Sequence, residues 1–126
     1  TGINPSRIVV YNLWRRFDQD GVDTPFAVCD KRSVSEKELI PTDLFNYLPD
    51  QPEALTVEIC QSSHSESHKW YFYPEMTKDE VLMFKTYDSD EKPFIPTLHS
   101  AFDYPDTPQG VTPRESIEVR AVCFFD

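Results

Sequence analysis

The chain has 126 residues, enough for one hydrophobic core and not for two. Its formal net charge of -10 argues against nucleic acid or an anionic membrane surface as partner. No apolar run approaches the roughly 18 residues that a membrane-spanning helix needs.

Arg7 to Trp14 is rich in β-branched and aromatic residues and is the first expected strand. Asp18 to Thr24 is polar, contains Gly21 and reads as a loop. Pro25 to Asp30 reads as a short buried strand. Ser35-Glu36-Lys37-Glu38 fits a capping box, so a helical turn is expected there, stopped by Pro41. Leu55 to Cys60 alternates as a strand does, and Gln61 to Ser67 is a polar turn. Lys69 to Tyr73 is an aromatic strand. Thr77-Lys78-Asp79-Glu80 is a second capping box, from which a short helix is expected through about Phe84. Lys85 to Asp88 reads as a return to strand, and Asp90 to Pro93 as a turn. Thr97 to Phe102 carries His99, and Asp103 to Pro113 is a Pro/Gly loop. Ile117 to Phe125 is the final strand. Short strands with turn signals between them and little helix predict an all-β sandwich or barrel. The eleven prolines and three glycines suit stiff loops on such a scaffold.

Cys29, Cys60 and Cys123 are widely spaced and form no C-x-x-C pair. They read as free thiols in a reducing compartment, which places the protein in the cytoplasm. The chain opens on Thr1 and enters a strand-like run almost at once, which reads as a processed or cleaved piece of a longer protein.

The candidate chemistry lies in the last quarter. Non-haem iron is commonly held by two histidines and one carboxylate on one face, leaving positions open for cosubstrate and oxygen. His99 suits the distant histidine of such a set. Arg114 is a natural clamp for the carboxylate of an organic acid, because a guanidinium meets a carboxylate through two parallel hydrogen bonds. Ser116 shares its strand face and adds a hydroxyl. The bland alternatives are a structural histidine and a surface salt bridge. His64-Ser65-Glu66 is the one local His-x-carboxylate, but it sits among serines where a ligand would be loosely held. His64 and His68 lack the helical frame of an i,i+4 zinc pair. Trp70 to Tyr73 divides between core and pocket wall. Asn12, Trp14 and Arg15 form a second polar-aromatic cluster, in which Arg15 serves either an acidic ligand or the surface.

Several segments in order carry a family resemblance: Asn12-Leu13-Trp14-Arg15, Phe26-Ala27-Val28-Cys29-Asp30, His68-Lys69-Trp70-Tyr71-Phe72-Tyr73-Pro74, Phe84-Lys85-Thr86-Tyr87-Asp88-Ser89, His99-Ser100-Ala101-Phe102-Asp103 and Pro113-Arg114-Glu115-Ser116-Ile117-Glu118-Val119-Arg120. The chain resembles the hydroxylase/desaturase family of microbial secondary metabolism, which includes gibberellin-desaturase-like and cephamycin-methoxylation-like proteins. The resemblance implies a double-stranded β-helix, or jelly roll, incomplete in this chain, with residues 1–126 as the C-terminal portion of a single domain. It implies Fe(II) and 2-oxoglutarate as cofactors and hydroxylation or desaturation of a small secondary metabolite. It makes His99 the distal iron ligand, and Arg114 with Ser116 the 2-oxoglutarate clamp, with Arg120 as a second candidate. Asn12, Arg15, Trp70 and Tyr87 are the expected substrate contacts. Family members carry a His-x-Asp pair upstream of the Asn-x-Trp-Arg segment, and this chain starts too late to contain it. The fragment alone is therefore expected to be inactive, with a second chain or fragment supplying the N-terminal half of the barrel. The competing readings are a non-catalytic small-molecule-binding jelly-roll module and a cupin-like metal protein using His64, Glu66 and His99.

Overall fold

A computed structural model describes residues 4–17, 23–45 and 57–126. Eight strands run in chain order: β1 Arg7–Arg16, β2 Phe26–Cys29, β3 Leu39–Leu44, β4 Val57–Ser62, β5 Trp70–Phe72, β6 Leu82–Asp88, β7 His99–Ala101 and β8 Ser116–Phe125. They form two three-stranded antiparallel sheets, β6-β1-β8 and β5-β2-β7, and a two-stranded ribbon, β3-β4. The all-β expectation holds.

β1 is the centre of the first sheet. Val9, Asn12 and Trp14 on it are buried, and a register shift between Val10 and Tyr11 re-phases the strand against β6. The two sheets face each other through rings. Trp14 of β1 stacks on Phe26 of β2 with centroids 4.6 Å apart and planes 12° apart. Phe84 of β6 meets His99 of β7 at 4.8 Å, and Phe26 lies 5.6 Å from the same histidine. Each such pair stabilises by about 0.5–1.5 kcal/mol beyond its buried area. A satellite core of Cys29, Val34 and Leu98, with Leu39 and Ile95 against it, anchors the loops beside the second sheet.

Two local expectations are corrected. Thr77 donates to Glu80 Oε2 from its backbone N at 2.7 Å and its hydroxyl at 3.0 Å, so the capping contacts form. No helix follows; Leu82–Asp88 is strand. Phe84 and Asp88 alternate as buried residues with exposed Met83 and Tyr87, and pairing with β1 outweighs a local start signal. The capping box at Ser35 gives the expected helical turn, as 3-10 helix Glu36–Glu38. The chain then continues into β3 straight through Pro41, which lies opposite Cys60. A proline is tolerated there because β3 pairs on one side only. The expected strand from Leu55 is described from Val57 onward, and residues 18–22 of the expected loop lie outside the described residues.

Asp88 closes the β6 end of the first sheet. Its side chain is fully buried. Arg7 donates to it in a fork, Nε to Oδ1 at 2.9 Å and Nη2 to Oδ2 at 2.6 Å. Lys85 Nζ and the backbone N of Asp90 donate as well. The hydrogen bonds from Arg7, then those from Lys85, hold the Asp88 carboxyl well below the usual carboxylate range. A carboxyl depressed in the folded state stabilises it above the unfolded value, about 3.9, and loses that contribution as pH falls below it. Replacing Asp88 by Asn leaves two cations facing a neutral amide. Asp88→Asn is expected to lower Tm at pH 7 by more than about 5 °C. Thermal melts at pH 7 and pH 3 check this: the gap between wild type and variant should narrow at the lower pH.

Candidate functional site

An open cavity of about 710 Å³ lies among the described residues. Its walls come from β1 (Val10, Asn12), β4 and the turn after it (Glu58 to His64), β6 (Thr86, Tyr87) and β8 (Arg120), with His68, Trp70 and Pro96 to Ser100 closing the rest. All three histidines of the chain line it.

His99 opens β7, whose register sets it opposite Val28 of β2. Phe26 and Phe84 flank its ring. Its Nδ1 lies 2.9 Å from the carbonyl oxygen of Thr97. A carbonyl can only accept, so Nδ1 carries the proton and Nε2 keeps its lone pair. A metal-binding histidine is held in this way, with one nitrogen engaged on the backbone and the other free to ligate. Among the described residues no three His, Cys, Asp or Glu side chains converge to hold a metal. His99 thus fits one position of a metal site.

The other expected contacts divide by register. Along β8, Ser116 lies opposite Arg16 of β1, Glu118 opposite Trp14 and Arg120 opposite Asn12. Arg120 therefore stands at the His99 end and lines the large cavity, with Glu118 3.6 Å away. Arg114 stands at the other end, in the wall of a separate void of about 20 Å³ shared with Trp14 and Phe26. Its Nη1 donates to the carbonyl of Thr24, its backbone N donates to Asp23 at 3.1 Å, and its guanidinium lies over Trp14 at 5.6 Å. Its Nε is buried without a partner. A buried, unused donor on a cation is costly unless a ligand satisfies it. Ser116 is exposed and lines neither cavity.

Asn12 is fully buried. Its Nδ2 donates to Glu118 Oε1 at 2.9 Å, and its Oδ1 has no partner. Trp70 and Tyr87 are half-exposed and line the large cavity. Arg15 lines neither cavity; its Nε donates to the Lys78 carbonyl at 2.7 Å and its guanidinium covers Phe17. His64 and Glu66 pair with each other at 3.3 Å, 82% and 98% exposed, which is poor support for a ligand.

Spacing alone missed one cavity residue. His68 is partly buried and bonds Glu38, thirty positions earlier, at 3.0 Å. Only the β3-β4 ribbon and its preceding turn bring the two together.

A family model described as an oxidoreductase/YMDC permease-like domain matches residues 2–124. The Fe(II)/2-oxoglutarate-dependent dioxygenase nvfI of Aspergillus novofumigatus is 35% identical over 119 residues, 94% of this chain and 41% of its own length. The hydroxylase/desaturase asaB of Aspergillus flavus is 29% identical over 132 residues, 96% of this chain and 57% of its own. The solved iron and alpha-ketoglutarate-dependent endoperoxidase NvfI superposes with a TM-score of 0.81 at 33% identity, covering 95% of this chain and 43% of that one. The chain thus spans about half the length of the curated relatives it matches. The superposition gives the two facing sheets the jelly-roll class, here as part of the full arrangement. No helix among the described residues is long and apolar enough to cross a membrane.

The rings around His99 are what fix its orientation. Phe26→Ala is expected to destabilise by about 2 kcal/mol or more. The His99 side chain should pass from a single Nδ1-protonated tautomer to a mixture. Denaturant titration and side-chain ¹⁵N spectra read the two effects.

Proposed function

This chain belongs to the oxidoreductase/YMDC permease-like family, with Fe(II)/2-oxoglutarate-dependent dioxygenases and hydroxylase/desaturases among its relatives, and we propose that residues 1–126 are the C-terminal portion of one jelly-roll oxygenase domain. The whole protein hydroxylates or desaturates a small secondary metabolite. The observation that carries this reading is the locked His99 ring, whose free Nε2 belongs to a cavity-lining residue.

In this reading His99 is the distal iron ligand, and a His-x-carboxylate pair outside residues 1–126 supplies the rest. Held there, Fe(II) with 2-oxoglutarate would supply the oxygen-activating chemistry for hydrogen removal from an unactivated carbon. The residues of this chain hold and orient. Two arginines compete for the 2-oxoglutarate carboxylate. Arg120 shares the cavity with His99, but Arg114 has one unused buried donor, its Nε–H. We assign the clamp to Arg114, with the Ser116 hydroxyl as its partner, because its Thr24 and Trp14 contacts pre-set the fork for a carboxylate. Arg120, Asn12, Trp70 and Tyr87 then face the organic substrate, whereas Arg15, engaged with Lys78 and Phe17, lies outside the contact set.

The same reading covers β8. Ile117, Val119, Val122 and Phe124 on it are about half-exposed or more, and jelly-roll sheets carry more strands than the three described in each sheet here. Chain outside residues 1–126, whether continuous or a separate fragment, is expected along this edge. A cytoplasmic location, suggested by three unpaired cysteines, is part of the proposal. A non-catalytic binding module is the second reading, favoured by the lack of a three-ligand cluster among the described residues.

Intact mass and iron analysis of the full-length protein test both readings. One Fe(II) per chain with succinate release is expected. His99→Ala should weaken iron binding by about 100-fold or more. Arg114→Ala should raise KM for 2-oxoglutarate by roughly 10- to 100-fold, unrescued by Arg114→Lys. Arg120→Ala should act mainly on the organic substrate. A full-length protein that binds no iron leaves the binding module standing, and a larger 2-oxoglutarate effect at Arg120 moves the clamp there.

A further inference from the structure

The large cavity has a second partly buried histidine in its wall. His68 precedes β5, and only 5% of its side chain is exposed. Its Nε2 lies 3.0 Å from Glu38 Oε2. Glu38 is itself pinned: the backbone N of Ser35 donates to the same oxygen at 2.8 Å, closing the capping box of the turn Glu36–Glu38. The Ser35 bond, then the His68 bond, hold the Glu38 carboxyl below its ordinary range. It is therefore a carboxylate through neutral pH, and a carboxylate only accepts. Of the two neutral tautomers of His68, the one that fits this bond carries its proton on Nε2 and presents Nδ1 as a lone-pair acceptor. Among the described residues nothing donates to it.

The neighbour that matters is Trp70. Its indole stands edge-on to His68, centroids 6.4 Å apart and planes at 73°. Trp70 is 44% exposed and lines the same cavity. A fixed acceptor beside an uncovered aromatic surface is complementary to a hydroxyl on an apolar ring.

We propose that His68 contacts the substrate, its Nδ1 accepting a hydrogen bond from a hydroxyl on a ring-containing skeleton that packs on Trp70, with Glu38 as the positioning residue. This names a substrate class for the cavity, and it rests on the oxygenase reading only for the word substrate. The contact sits on the β5 side and uses no group assigned to iron or 2-oxoglutarate. Glu38 acts through His68: it fixes the tautomer and the ring plane, so that the acceptor is set before the ligand arrives.

Phenol is the probe, with anisole as the same ring lacking the donor. Both are titrated into full-length protein, and binding is followed by the side-chain ¹⁵N resonances of His68. Phenol is expected to shift the Nδ1 resonance and to bind about five-fold more tightly than anisole. His68→Phe should erase the preference while retaining ring packing. Glu38→Gln should release the tautomer and reduce the preference with the turn intact. Should His68→Phe fail to fold, the wild-type Nδ1 response and Glu38→Gln still decide. Equal binding of the two probes, no binding of either at concentrations that would saturate a roughly mM-class site, or a preference that survives His68→Phe overturns the proposal. Iron content is measured on the same samples: loss of iron with the phenol preference intact sinks the oxygenase reading alone, and the reverse sinks only this one.

Discussion

The ring packing between the two sheets is the constraint on which the rest depends. Trp14 and Phe84 come from one sheet, Phe26 and His99 from the other, and their contacts join the layers. The strands that supply Phe26 and His99 are short, four and three residues. Short strands hold themselves in place weakly, so the rings do much of the positioning. A histidine in that row is polar and needs a partner when buried. The Thr97 carbonyl supplies one, and the proton it takes determines which nitrogen is left free. Packing and ligand chemistry are thus set by the same few atoms.

Charge is kept at the ends of this row. At one end Arg7, Lys85 and Asp88 form a satisfied cluster, with Glu91 and Lys31 continuing it to the surface. At the other end Arg114 rests on Trp14 with one donor unused. The difference separates structure from function. A buried charge whose partners are complete has no capacity for a ligand, whereas one with an orphaned donor has capacity built in. Asp88 has its partners complete, whereas the unused donor is on Arg114.

Most strands were legible because their alternation and β-branched content agree with their burial, as in β1 and β2. The helix expected from Thr77 shows the limit. Its capping contacts are real, but a start signal does not decide whether the next eight residues prefer a neighbouring strand. β3 was hidden by Pro41, since one missing donor matters little on a strand paired along one side. In the site, His99 and the two arginines stood out by residue type. Their division between two cavities did not, because it follows from the pairing of Ser116, Glu118 and Arg120 with particular residues of β1. His68 was visible only as a neighbour of His64. Its partner Glu38 is distant in sequence, and no spacing rule joins a capping residue of one turn to a histidine beyond the next hairpin.

β8 links the fold to the chemistry. It pairs with β1 along its whole length, yet Ile117 and Val119, with Val122 and Phe124, remain open to solvent. A strand apolar on both faces is characteristic of one buried on both sides. In the proposed reading the chain that covers it is the chain that brings the remaining iron ligands. Closing the sandwich over β8 and completing the metal site would then be one event. The free energy of metal binding would contribute directly to barrel closure, as in other proteins whose sites do not exist before folding. His99 needs no such help, because its ring is already locked by residues within this chain. In that reading one half of the site would be pre-set and the other would arrive with the fold, so iron affinity would report on barrel closure as much as on ligand chemistry.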